Sequence, residues 1–362
     1  MHRTYSFSPD WVSPPGATVL DLMEERRVSI KDFAIETRRS TNAVARFLNG
    51  IEPLTNDWAI QLTQYFGASI DFWLRREEQY RNGLLRLYKE KNQKHAIEWL
   101  NEIPTKDMQL FGWIPKSESK EDLLLTIFSF FGVTSVESWR DRYADITESI
   151  AYRTSTAFEI KTGSVATWIR QGEILAQEID CSPWNPKLFR ESLPLMRDLT
   201  KISEPQVFLP KLVELCSRCG VAVVIAPLPN GCRASGATKF ISSDKALMLL
   251  SFRYLSDDQF WFTVFHEAGH LLLHAKDGVF LEGVADSTEK AEAEANNFAL
   301  SALFTKAGLE QLKTLTLTNL SIARFARRLG ISAGLVVGQL QKMERIPFKH
   351  FNFLKRHYKW IE

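Results

Sequence analysis

The stretch Trp261-Phe262-Thr263-Val264-Phe265-His266-Glu267-Ala268-Gly269-His270-Leu271-Leu272-Leu273-His274 carries H-E-x-x-H inside an otherwise apolar run. Residues four apart on a helix lie one turn above each other. His266 and His270 would therefore present two imidazoles to one metal, with Glu267 in reach of a water bound there. A zinc ion that does chemistry takes three protein ligands and leaves a fourth position for water. The motif thus implies one zinc ion, Glu267 as general base, and a third ligand elsewhere in the chain.

Downstream, Glu289-Lys290-Ala291-Glu292-Ala293-Glu294-Ala295-Asn296-Asn297-Phe298-Ala299-Leu300 predicts a second helix, with an apolar stripe at Ala295, Phe298, Ala299 and Ala302. Glu289, Glu292 and Glu294 are all candidates for the third ligand. Glu292 is preferred because Asn296 shares its helical face and is placed to orient a histidine, while Glu294 is expected to point elsewhere. An oxyanion stabiliser is sought among Tyr254 and Arg253, before the motif, and His274, one turn after it. Asp257 and Asp258 supply helix-start chemistry for the motif helix.

Before the motif the pattern is that of strands. Gly220–Ala226 is a buried-strand run, and Gly236–Ser242 and Lys245–Ser251 are two more, separated by turn residues. A small sheet preceding the motif helix could hold an extended peptide along its edge strand, beside the metal.

The bulk composition of the 362 residues, 45% apolar and 24% charged, is that of an ordinary globular chain with more than one domain. A net charge of +2 excludes a strongly basic coat, so any nucleic-acid contact must come from a local patch. Met1–Gly16 has no apolar leader core and no apolar run is long enough to span a membrane, so a cytoplasmic protein without membrane contact is expected. Cys216-Ser-Arg-Cys219 matches C-x-x-C but has no neighbouring ligand pair, and is read as buried thiols.

The first eighty-odd residues read as short capped helices. Ser29, Ser40 or Thr41, and Thr55 or Asn56 are the starts, and Gly50 and Gly67 the stops. A tight turn between the second and third helices suggests helix-turn-helix, with Ser40–Leu48 as the reading helix and Arg38, Arg39, Ser40, Thr41, Asn42 and Arg46 as the DNA-contact candidates. At these residues the chain resembles the Xre-type helix-turn-helix of the antitoxin-like (HigA-like) subgroup. It departs from that pattern in the turn, where Arg38-Arg39 stands in place of the usual small-apolar pair. The alternative is a helical bundle that serves dimerisation or docking.

Residues 84–203 are helical in character and chemically quiet. Past 315, Leu320–Leu340 has the spacing of a second helix-turn-helix, read as support for the metal domain because Arg324, Arg327 and Arg328 fall on its first helix.

The motif stretch together with Glu292–Ala299 is similar to the ImmA/IrrE family of zinc peptidases, and Trp168–Trp360 resembles members fused behind an Xre-type domain. The resemblance implies His266, His270 and Glu292 as zinc ligands and Glu267 as base. Leu303-Phe304-Thr305 departs from the family's Leu-x-Pro without losing a ligand. The expected fold is α+β and mainly helical, in four parts: a helix-turn-helix bundle over 1–86, a helical connecting domain over 87–204, a zincin-like domain over 205–312 with a small sheet and the H-E-x-x-H helix, and a helical support region over 313–362. The expected function is a DNA-binding regulatory zinc endopeptidase that cuts a specific protein such as a repressor or antitoxin. Its expected partners are that substrate, double-stranded DNA and a second copy of the chain. The competing reading is an antitoxin-like regulator whose zinc domain senses or binds without cutting.

Overall fold

The computed structural model describes residues 11–90, 93–144, 146, 161–274, 280–281 and 289–359. Contacts divide the chain into two units. The first takes the N-terminal helices together with Lys161–Glu178 and Pro229–Gly231, and the second holds Ile179–Leu228 and Cys232–Glu362.

In the first unit the capping residues act as the sequence predicts. Ser29, Ser40 and Thr55 accept hydrogen bonds from the backbone N–H groups of Asp32, Ala43 and Trp58, which starts the helices Ile30–Glu36, Thr41–Leu48 and Asn56–Phe66. Gly50 and Gly67 end helices at positive φ. The apolar faces close on Phe33, Phe47, Trp58 and Leu62. Phe47 stacks on Trp58 with ring centroids 4.2 Å apart, a pairing worth about 0.5–1.5 kcal/mol beyond the area it buries. Arg38 takes a φ of 53°, the left-handed conformation that a glycine would hold without strain.

The helix Thr162–Ala176, which the sequence reading assigns to the connecting domain, shares a unit with the N-terminal helices. It is nearly all buried, and its Arg170 is held by three acceptors: the Phe130 carbonyl (2.8 Å), Glu173 (3.0 Å) and Asn49 (2.7 Å). A buried guanidinium needs such a set of partners to offset its desolvation.

In the second unit the three expected strands form as β1 (Val221–Ile225), β2 (Gly236–Ser242) and β3 (Lys245–Leu250). A two-residue strand, β4 (Phe280–Leu281), completes the order β1-β3-β2-β4. β1 runs parallel to β3, and β2 pairs with β3 antiparallel through the turn at Ser243 and Asp244. β4 pairs antiparallel with β2 at Ala237 and Thr238. The outer edge of β2 is therefore met, at those two residues, by the chain's own backbone.

The helix Asp257–Leu273 carries the motif and is buried along nearly its whole length. Its start differs from expectation. The N-cap Ser256 makes no side-chain cap, and the buried Asp257 and Asp258 reach sideways instead. Asp257 accepts the Arg356 backbone N–H (3.0 Å), and Asp258 pairs with Lys355 (2.7 Å). The helix Ala333–Lys342 lies against them, and a Cβ on Gly334 or Gly338 would overlap the Asp257 or Asp258 carboxylate. The second helix-turn-helix-like pair is thus part of the core of this unit, through Ile322, Phe325, Leu335, Val336 and Leu340, while Arg324, Arg327 and Arg328 are exposed.

Cys216 and Cys219 are buried free thiols whose pKa values burial pushes up, so C-x-x-C is apolar filling here. No helix among the described residues is long and apolar enough to cross a membrane.

Candidate metal centre

His266 and His270 sit one turn apart on the motif helix, and both are about 1% exposed. Their Nε2 atoms converge to 3.0 Å. The second helix, Glu289–Leu303, crosses at this point because Gly269 has no side chain: a Cβ there would stand 3.2 Å from Ala295 Cα and from Phe298 Cβ. That close approach brings Glu292 to the histidines. Its Oε2 lies 3.4 Å from His266 Nε2 and its Oε1 3.7 Å from His270 Nε2.

These three residues form a cluster able to hold a metal ion, the one such cluster among the described residues. Ligands of a tetrahedral zinc ion at 2.0–2.2 Å lie about 3.3–3.6 Å from one another, so these separations fit with only small adjustment. The donor set, two imidazoles and one carboxylate, is a zinc set that leaves a coordination position open. Burial, together with His266 and His274 nearby, pushes the pKa of His270 down to about 3 against the opposing pull of Glu292. The imidazole is therefore neutral, the form that binds metal.

Glu267 is fully buried and leans toward the sheet. Gly236, the first residue of β2, is in contact with it: a Cβ there would overlap the Glu267 carboxylate and stand 2.7 Å from Thr263 Cγ2. Sequence reasoning gives Gly236 no role. Its only signal is a glycine opening a strand, which marks a place of close approach.

His274 holds the other side of His270. The two Nδ1 atoms are 3.3 Å apart, and His274 Nε2 lies 2.9 Å from Glu294 Oε2. With His270 Nε2 turned to the metal site, its Nδ1–H donates to His274 Nδ1 and His274 Nε2–H donates to Glu294. That hydrogen bond holds the Glu294 carboxyl below the usual carboxylate range. Glu294 lies off the ligand face, on the turn that meets His274. Asn296 lines a cavity with Gln259 and Phe262, and the acceptor facing His270 Nδ1 is His274. The Glu289 side chain lies outside the described residues.

Of the oxyanion candidates, Tyr254 is 52% exposed and packs under Arg253, whose guanidinium is 5.0 Å from the ring centre. Arg253 donates to the Arg233 carbonyl. Neither is brought to the histidine cluster by a described contact, and His274 is engaged by His270 and Glu294.

Residues 216–340 match the family model described as the IrrE N-terminal-like domain, of peptidase family M78. An IrrE-like domain occupies that span. It contains the sheet, the motif helix, the Glu292 helix and most of the C-terminal helix pair, so the whole cluster falls inside it. A search of curated proteins finds no match to the chain.

Outside the IrrE-like domain, the residues read as DNA contacts are largely engaged within the protein. Thr41 Oγ1 donates to Glu178 (2.6 Å) and Asn42 Nδ2 donates to the same carboxylate (3.3 Å). Arg46 donates to the Gly112 carbonyl (2.8 Å). Arg39 stacks on Trp58 at 4.1 Å and donates to Gln61. Ser40 caps its own helix, and Arg38 is exposed.

Proposed function

We propose that the chain is a zinc-dependent endopeptidase that hydrolyses a peptide bond of a specific protein partner. The observation that carries this reading is the convergence of His266, His270 and Glu292 with a buried glutamate, Glu267, beside them on the same helix. A bound zinc ion would supply a Lewis acid and lower the pKa of a water held at its open position. Glu267 would take a proton from the attacking water and return it to the leaving amine. Glu267 suits that shuttle by position, since it follows the ligand His266 on the same helix and is buried beside the cluster. His274 and Glu294 would orient the His270 ring.

A regulator that only binds zinc has no chemical need for Glu267. The test is Glu267→Gln, which keeps the ligand set and removes the base. Zinc content is expected to stay at one ion per chain while cleavage is lost, read by comparing cellular proteins after induction of wild type and variant. Full biological activity in Glu267→Gln, with loss in Thr41 and Asn42 variants, would favour the antitoxin-like regulator instead.

The same proposal assigns the protein to the cytoplasm and its N-terminal helices to double-stranded DNA, with a repressor or antitoxin as substrate. The runs of capped short helices support an Xre-type module, and the bonds from Thr41 and Asn42 to Glu178 set its condition. Those side chains reach a base or phosphate only after giving up a carboxylate that already occupies them.

A further inference from the structure

A cavity of about 330 Å³ is lined by the N-terminal half of the motif helix, ending at Phe262, one turn before His266. One wall is the motif helix, through Gln259 and Phe262, and the helix Glu289–Leu303 adds Asn296. The facing wall is the helix Ala333–Lys342, through Leu335, Gln339 and Lys342. The Phe262 ring centre lies 6.3 Å from that of His266, and Asn296 stands one turn beyond Glu292 on its helix, so two lining residues sit one turn from metal ligands. One helical turn spans roughly 5.4 Å, which is the reach of a side chain on the residue next to a bond held at the metal.

We propose that this cavity receives the side chain of the substrate residue flanking the scissile bond, and that it selects glutamate. The inference rests on the endopeptidase reading. Its lining includes the apolar Phe262, Phe304 and Leu335, which suit the methylene stem of a long side chain. The same lining holds the amide residues Gln259, Asn296 and Gln339, and Lys342, whose ammonium sits 4.7 Å over the Phe262 ring. Asp258 and Lys355 also line the cavity, but they pair with each other at 2.7 Å and cancel. Gln341 is spent on the wall itself, bonded to Lys355, Asn352 and the carbonyls of Phe348 and His350. The balance is one uncancelled positive charge, so the cavity favours a carboxylate and repels an ammonium. The C-terminal helix pair thereby gains a role in specificity as well as in support.

The experiment uses the full chain loaded with zinc. Octapeptides of alanine and serine, carrying one Glu, Gln or Lys at each position in turn, are titrated against Glu267→Gln, which binds without turnover, and their hydrolysis by the wild type is followed separately. One position is expected to show at least tenfold tighter binding for Glu than for Lys. The exposed Lys342→Glu substitution, added to Glu267→Gln, should invert that order, and Lys342→Gln should flatten it. Equal affinities, no measurable binding by any peptide, or an order that Lys342→Glu leaves unchanged would overturn the inference. If the wild type hydrolyses peptides without such a preference, the cavity assignment fails and the endopeptidase stands. An invertible preference without hydrolysis supports the cavity and sinks the endopeptidase.

Discussion

His274 Nε2 lies 2.9 Å from Glu294 Oε2, and through the Nδ1 of the same ring it meets His270, so a carboxylate is linked to a metal-binding imidazole by way of a second histidine. Such outer partners fix the ring and raise its basicity. Glu294→Ala and His274→Ala are each expected to weaken zinc binding by about 10- to 100-fold, measured by competition with a chromophoric chelator. Glu294→Gln, which keeps an acceptor oxygen, should lose less. Unchanged affinity in both alanine variants would show that the contact does not act on the metal.

Gly236→Ala should separate metal binding from chemistry. The new Cβ overlaps the Glu267 carboxylate, and the three atoms nearest to it belong to Glu267 and Thr263. A displacement of about 1 Å at a reacting group costs on the order of 100-fold in rate. Zinc stoichiometry should hold and kcat should fall by that order, as steady-state kinetics on a cleaved peptide would read.

Acid should destabilise the metal-free chain through His270. Its folded pKa, pushed down to about 3, lies below the ordinary histidine value near 6.5. Between those values the unfolded chain takes up a proton that the folded chain refuses. This contribution is therefore fully present above about 6.5 and is lost as pH falls toward about 3. The Tm of the metal-free protein should drop from pH 7 to pH 5, and His270→Asn should shrink the drop. A pH-independent Tm over that range would remove the argument that the ring is held neutral.

Glu178→Ala frees Thr41 and Asn42, which share its carboxylate. Hydrogen bonds to a charged group contribute about 1.5–3 kcal/mol, so urea unfolding should show a loss at or below that range because the site is only partly buried. If the Thr41–Leu48 helix reads DNA, the variant should bind a duplex more tightly than wild type at equal salt, in a gel-shift titration. Equal or weaker binding would count against a masked reading helix.

The sequence by itself determined what depends on neighbours along the chain. Helix geometry alone stacks His266 over His270, caps place helix starts at Ser29 and to within one residue at Ser40 or Thr41 and Thr55 or Asn56, and apolar runs bounded by turn residues mark β1, β2 and β3. Glu292 was within reach as a preference, since a second helix with carboxylates had to face the first. Which carboxylate met the histidines was decided by the approach at Gly269 and Ala295, a packing distance between helices that no spacing encodes. The tertiary structure likewise put Glu294 on His274, Gly236 on Glu267, β4 along β2 and Glu178 on Thr41. Each of these joins residues on different elements, where side-chain volume and the angle of packing, not periodicity, fix who touches whom.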